Sequence, residues 1–130
     1  MLRLLALLVV TITLGTAQSA NAGPFEDGDA AYNLGDYVTA LSVWKPLATQ
    51  GHAKAQLSLG YVYSLGQGVP QNYVRAHMWY SLSASLLRGV FSKIAIENRN
   101  TVAAMMTPAQ IAQAQEMASK CLASDFKNCD

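Results

Sequence analysis

The feature that most constrains this chain is that it repeats itself. Shifted by 36 residues, Tyr37-Val38 falls on Tyr73-Val74, Ala40 on Ala76, Trp44 on Tyr80 and Ala48 on Ala84. A fixed period of this length is the signature of stacked helical units, each too small to bury its apolar face alone. Positions 40, 44 and 48 lie one turn apart on a helix, so the same face is written twice. The small alanines permit close helix approach, and the ring one turn on fills the space between neighbouring helices. Burial of each such ring is worth about 2–3 kcal/mol.

Helical periodicity extends over the rest of the chain. Six segments carry it, near Phe25 to Leu34, Tyr37 to Thr49, Ala53 to Ser64, Tyr73 to Leu87, Phe91 to Met105 and Pro108 to Ala123. From residue 23 onward, alternating β-branched runs joined by a hairpin turn are missing. Gly35-Asp36, Gly51, Gly66 to Pro70 and Gly89 supply helix-ending glycines and stops. Thr107-Pro108-Ala109-Gln110 spells an N-cap, a proline at the first helical position and a glutamine at the third. The fold class is therefore all-α: stacked antiparallel helix pairs forming an α/α solenoid of about six helices.

Residues 1–22 have the pattern of a secretory signal and are set apart from the fold. Arg3 gives the positive start, Leu4 to Leu14 an apolar run too short to span a bilayer, and Ala20-Asn21-Ala22 a cleavage site before Gly23. No membrane anchor is expected after cleavage. The whole chain carries 9 Lys+Arg against 8 Asp+Glu, a formal charge of +1, and loss of Arg3 leaves 8 against 8. A neutral domain has no electrostatic grip on phosphate, which argues against nucleic acid as a partner.

The stretch from Gly51 to Gly89 resembles a Sel1-like repeat, a relative of the tetratricopeptide unit. Gly51, Ala55, Leu59-Gly60, Tyr63, Gly66 and Gly68-Val69 match the first half of its pattern, and Tyr73, Ala76, Trp79-Tyr80 and Ala84 the second. Ser83 stands where the family usually has Ala, and Leu87 where it has Gly. On this resemblance residues 23–51 form a shortened helix pair lacking the Gly-x-Gly loop, 52–89 a full repeat, and 90–130 a helical cap with a cysteine-bearing tail. The resemblance implies a scaffold that binds protein or peptide in a helical groove, in a periplasmic or secreted protein.

The same positions have physical reasons of their own. Gly60 lies inside a helix, where it costs about 1 kcal/mol against Ala, so a partner must cross too closely for a Cβ. Gly66 and Gly68 allow positive φ in the turn, and Pro70 holds Val69 extended, where it can plug the core. Gln67 is expected to be a solvated loop residue, its truncation costing no more than about 0.5 kcal/mol. Gly66-Gln67-Gly68 lacks the preceding strand and following Lys-Ser/Thr of a phosphate cradle.

Candidate catalytic groups are sparse. Ser42-Val43-Trp44-Lys45 spells S-x-x-K, but the Ser-Asp-Asn and Lys-Thr-Gly elements that accompany it in penicillin-interacting enzymes are absent. Ser42 and Lys45 are expected to be polar helix positions. His52 and His77, the two histidines, have no metal-ligand spacing; His52 should be solvated, and His77 should be a groove contact or a half-buried ring. Glu26, Asp27 and Asp29 suit the positive end of the first helix dipole. Met105-Met106 should fill a core gap. No metal or cofactor is expected.

Cys121 and Cys129, eight apart, are expected to form a disulfide in an exported protein, with a reactive thiol as the alternative. The expected function is an exported adaptor that binds a protein or peptide. Asn33, Gln56, Tyr61 and His77 are the candidate contacts, as groove positions without structural duty. Alternatives are a cell-wall-active enzyme or penicillin-binding protein, or a structural accessory subunit of an envelope complex.

Overall fold

Two helix starts 36 residues apart are built alike. The Asp36 carboxylate accepts a hydrogen bond from the Thr39 amide at 3.1 Å, and the Asn72 side-chain oxygen accepts from the Arg75 amide at 3.0 Å. Each satisfies an amide that the helix cannot, a contribution of about 1 kcal/mol. Six helices follow in the computed structural model, which describes residues 23–130: α1 Pro24–Asn33, α2 Tyr37–Ala48, α3 Ala53–Leu65, α4 Tyr73–Leu86, α5 Gly89–Ala103 and α6 Pro108–Ala123. No strand occurs among the described residues. The signal expected over residues 1–22 lies outside them.

Every helical segment expected from periodicity is present within two residues at each end. Thr107 caps α6 as its sequence requires: its hydroxyl accepts from the Gln110 amide, and the Gln110 side chain accepts from the Thr107 amide. One punctuation mark has another role. Gly89 does not end α4, whose last turn runs into extended backbone at Leu87. It opens α5 instead, with φ +62°.

Consecutive helices pack along the chain, α1 on α2, α2 on α3 and α3 on α4, and α4 then receives both α5 and α6. This central position explains why Ala76, His77, Met78, Trp79, Tyr80, Leu82 and Ser83 are all buried: α4 has neighbours on almost every side. The repeated face does what its spacing implies. Ala40, Ala48 and Ala76 are fully buried, Trp44 and Tyr80 nearly so, and Ala84 is half-buried.

Glycines on the first helices accommodate those rings. A Cβ at Gly60 would lie 2.5 Å from Tyr80 Cδ1, and one at Gly28 2.4 Å from Trp44 Nε1. Both are below any carbon contact that close packing allows, so the absent side chain is the reason the helix pairs can close. Gly28 is the first-unit counterpart of Gly60. The loop of the second unit turns through Gly66 in the left-handed region, and Gly68 sits so close to Tyr37 and Leu41 that a Cβ would collide with α2. Val69 packs against the core beneath that loop.

The tail folds back after α6. Cys121 and Cys129 are joined by a disulfide and both are buried. Phe126 donates its amide to the Cys121 carbonyl at 2.8 Å, and its ring covers Gly51. Asp130 then pairs with Arg75 of α4 at 2.7 Å. Met106 packs on the core as expected, but Met105 is 62% exposed: it lies in the turn beyond α5, directed away from the helices that hold its neighbour.

Candidate functional site

The first helices α1, α3 and α5 leave a groove of about 270 Å³ between them. Its walls come from residues grouped about one helical turn apart: Asp29 and Tyr32 on α1, Leu57 and Ser58 with Tyr61 on α3, and Ile94 and Asn98 on α5. Trp44 of α2 reaches in behind them. Tyr61 and Ile94 are 45% and 38% exposed, so the groove offers apolar surface to an incoming chain.

Tyr32 organises this wall. Its ring meets Tyr37 at 5.2 Å, Trp44 at 5.7 Å and Tyr61 at 6.3 Å, the last edge to face. Its hydroxyl donates to Gln67 Oε1 at 2.8 Å, and burial raises the phenol's pKa above its ordinary value. Gln67 is therefore not the solvated loop residue expected from sequence. Its side chain is half-buried and also donates to the Tyr37 hydroxyl at 3.4 Å, a longer contact, so its loss should cost about 1 kcal/mol. The second-unit loop thus fixes the aromatic wall of the first unit.

Asp29 supplies the groove's carboxylate. Partial burial, then the nearby Glu26, raise its pKa above the ordinary value, and Lys54 lowers it by less. Lys54 is directed elsewhere, with its ammonium 4.8 Å from the Phe91 ring centroid.

A second cavity, about 320 Å³, lies between α2, α3, α4 and the disulfide-bonded tail. Leu59, Tyr63 and Trp79 in its lining are at most 5% exposed, Pro46 is exposed, and Lys45, Thr49, Lys127, Asn128 and Asp130 make half of the lining polar or charged. The first-helix groove is lined mostly by aromatic and aliphatic side chains, which makes it the better candidate for an apolar contact.

Of the four contacts expected from sequence, the groove is lined by Tyr61. Asn33 is exposed at the end of α1 but turned away from the groove lining by one residue. Gln56 is fully buried and has a structural duty: its Nε2 donates to the Ala48 carbonyl at 3.1 Å, tying α3 to the end of α2. His77 is 5% exposed on α4, its pKa lowered by burial and then by the Arg99 guanidinium on α5. Neither Gln56 nor His77 presents a surface to a partner. His52 also differs from expectation: it caps α3, accepting from the Ala55 amide at 3.1 Å, and stacks on Phe25 at 5.0 Å. Asp29, Tyr32, Leu57, Ser58, Ile94 and Asn98 were missed. Their signal was the one-turn spacing along α1, α3 and α5.

Ser42 and Lys45 of the S-x-x-K sequence are exposed on α2. The Ser42 hydroxyl donates to the Thr39 carbonyl at 2.7 Å, as a polar helix position does. Among the described residues, no group of three or more His, Cys, Asp or Glu side chains is arranged to hold a metal.

The Sel1-repeat family model matches residues 28–39 and 53–86. The chain carries Sel1 repeats over these segments. The two matched segments cover the glycines beneath Trp44 and Tyr80, so the family pattern and the helix-closing contacts coincide. Sel1 repeats are generally protein-protein interaction modules and typically non-catalytic. No curated protein and no solved structure matches the chain significantly.

Proposed function

We propose that this Sel1-like repeat protein is an exported adaptor that holds a segment of a partner protein in the groove between α1, α3 and α5. The observation that carries this reading is the groove itself: exposed Tyr61 and Ile94 beside a tyrosine already fixed by three rings and a hydrogen bond. A surface held in its binding shape loses little freedom when a partner arrives, which favours affinity. Aromatic anchors in a concave apolar site are the usual carriers of binding energy. Export is supported by the signal-like pattern of residues 1–22 and by the disulfide, a bond that persists in oxidising compartments.

The test is recovery of partners from the native envelope with two baits, the wild-type chain and Tyr61→Asp. A partner retained by the first and lost from the second, with both baits melting at the same temperature, is the expected result. Partners retained equally by both would overturn the assignment of the groove.

A further inference from the structure

We propose that the groove recognises a basic side chain, lysine or arginine, of the bound polypeptide, with its cation at the Asp29 carboxylate and its aliphatic stem along Tyr61. The inference rests on the groove being the binding surface and adds the chemistry of what it takes.

Asp29 is half-buried, yet among the described residues it forms no ion pair and accepts no hydrogen bond. A carboxylate drawn from water without a partner is in an unfavourable state, and the rise in its pKa reports the same cost. Lys54, whose charge acts on Asp29, holds its ammonium above Phe91 and forms no ion pair with that carboxylate, and the nearby Glu26 adds negative charge. The charged residue of the groove lining is therefore a carboxylate without an ion-pair partner, set beside aromatic rings. That combination attracts cations twice, through the carboxylate and through the ring faces, and repels an acidic ligand. Ser58 and Asn98 line the same groove, and their side chains make no hydrogen bond within the described residues. They are available to the backbone amides that flank an anchored side chain. An anchor of this kind suits the groove's size, about 270 Å³, which is enough for one or two side chains.

A random 12-residue peptide library displayed on phage, selected on the purified disulfide-intact protein, tests this. The expected outcome is a family of peptides with Lys or Arg at a fixed position whose capture requires Tyr61. In titration calorimetry with one such synthetic peptide, norleucine at that position should weaken binding about tenfold. Asp29→Asn should weaken the basic peptide about as much and leave the norleucine peptide within about twofold. Affinity of the wild-type protein for the basic peptide should also fall as salt is raised, a readout that needs no variant. Tyr61-dependent peptides without a basic residue, or with an acidic one, would overturn the anchor and leave the groove as a binding surface. Failure to select any Tyr61-dependent peptide would overturn both.

Discussion

Substitution of Gly60 by Ala should destabilise the protein, although alanine is the better helix former. In an open helix the change would gain about 1 kcal/mol. Here the new methyl would lie 2.5 Å from Tyr80 Cδ1, 2.6 Å from Cε1 and 3.0 Å from Cγ, where carbon contacts settle near 3.5–4.0 Å. The ring must move by roughly 1 Å, and it has little room to do so. Tyr80 is 1% exposed, and its hydroxyl lies 3.3 Å from Ser64 Oγ on α3. Overpacking of a closed core costs about 1–3 kcal/mol, so after the propensity gain the net loss should be about 1–2 kcal/mol. With a urea slope near 1.5 kcal/mol/M, the midpoint should drop by about 1 M. Gly60→Leu should cost several kcal/mol.

A double-mutant cycle isolates the cause. With the ring removed by Tyr80→Ala, Gly60→Ala should become neutral or stabilising, because only the propensity term remains. Both members of that background are to be melted in the presence of trimethylamine oxide, since the cavity left by the ring costs several kcal/mol on its own. A wild-type midpoint, or a higher one, for Gly60→Ala would refute the close-contact reasoning. An equal loss with and without the ring would place the clash elsewhere.

Replacement of Cys121 and Cys129 by Ser should cost about 2–3 kcal/mol from the loop of sequence separation 8, measured by urea melts, and should loosen the tail that carries Asp130 to Arg75. Intact-mass measurement of the exported wild-type protein should give a chain starting at Gly23 and 2 Da lighter than its fully reduced form. His77 should make the fold acid-sensitive. Its native pKa lies below the ordinary 6.5, so the unfolded chain takes up a proton first, and stability present above pH 6.5 is lost as pH falls toward the native value. In melts between pH 7.5 and 5, His77→Gln should show a smaller loss than wild type, and equal slopes would place the acid sensitivity elsewhere.

What was legible in the sequence was set by local chemistry. Thr107 to Gln110 and Gly66 determine helix ends through bonds to atoms a few residues away, so their roles can be read without knowledge of the fold. Gly60 was legible because a glycine inside a helix requires an explanation in any context. The candidate contacts were less so. Gln56 and His77 are polar residues at positions the stacking buries, and which side of a helix is buried depends on how many neighbours it has. α4 has three, and spacing along α4 carries no record of α6. Gln67 failed for a related reason: its partners Tyr32 and Tyr37 are 35 and 30 residues distant, across a unit boundary.

The groove and the packing have one origin in the first unit. Because Gly28 has no side chain, the Trp44 indole can lie directly on α1, and this brings its ring through to the groove, where it supports Tyr32. The contact has a cost, since the indole nitrogen is buried there without a hydrogen-bond partner. In the second unit the corresponding ring is a tyrosine, whose hydroxyl finds Ser64, and it does not line the groove. The two units therefore use the same glycine-under-ring device to different ends. In the second it closes a helix pair with its polar group satisfied, and in the first it closes a helix pair and also positions an aromatic floor. The aromatic character of the groove thus follows from which ring the repeat places opposite its glycine, so a volume change at Gly28 would disturb binding and stability together.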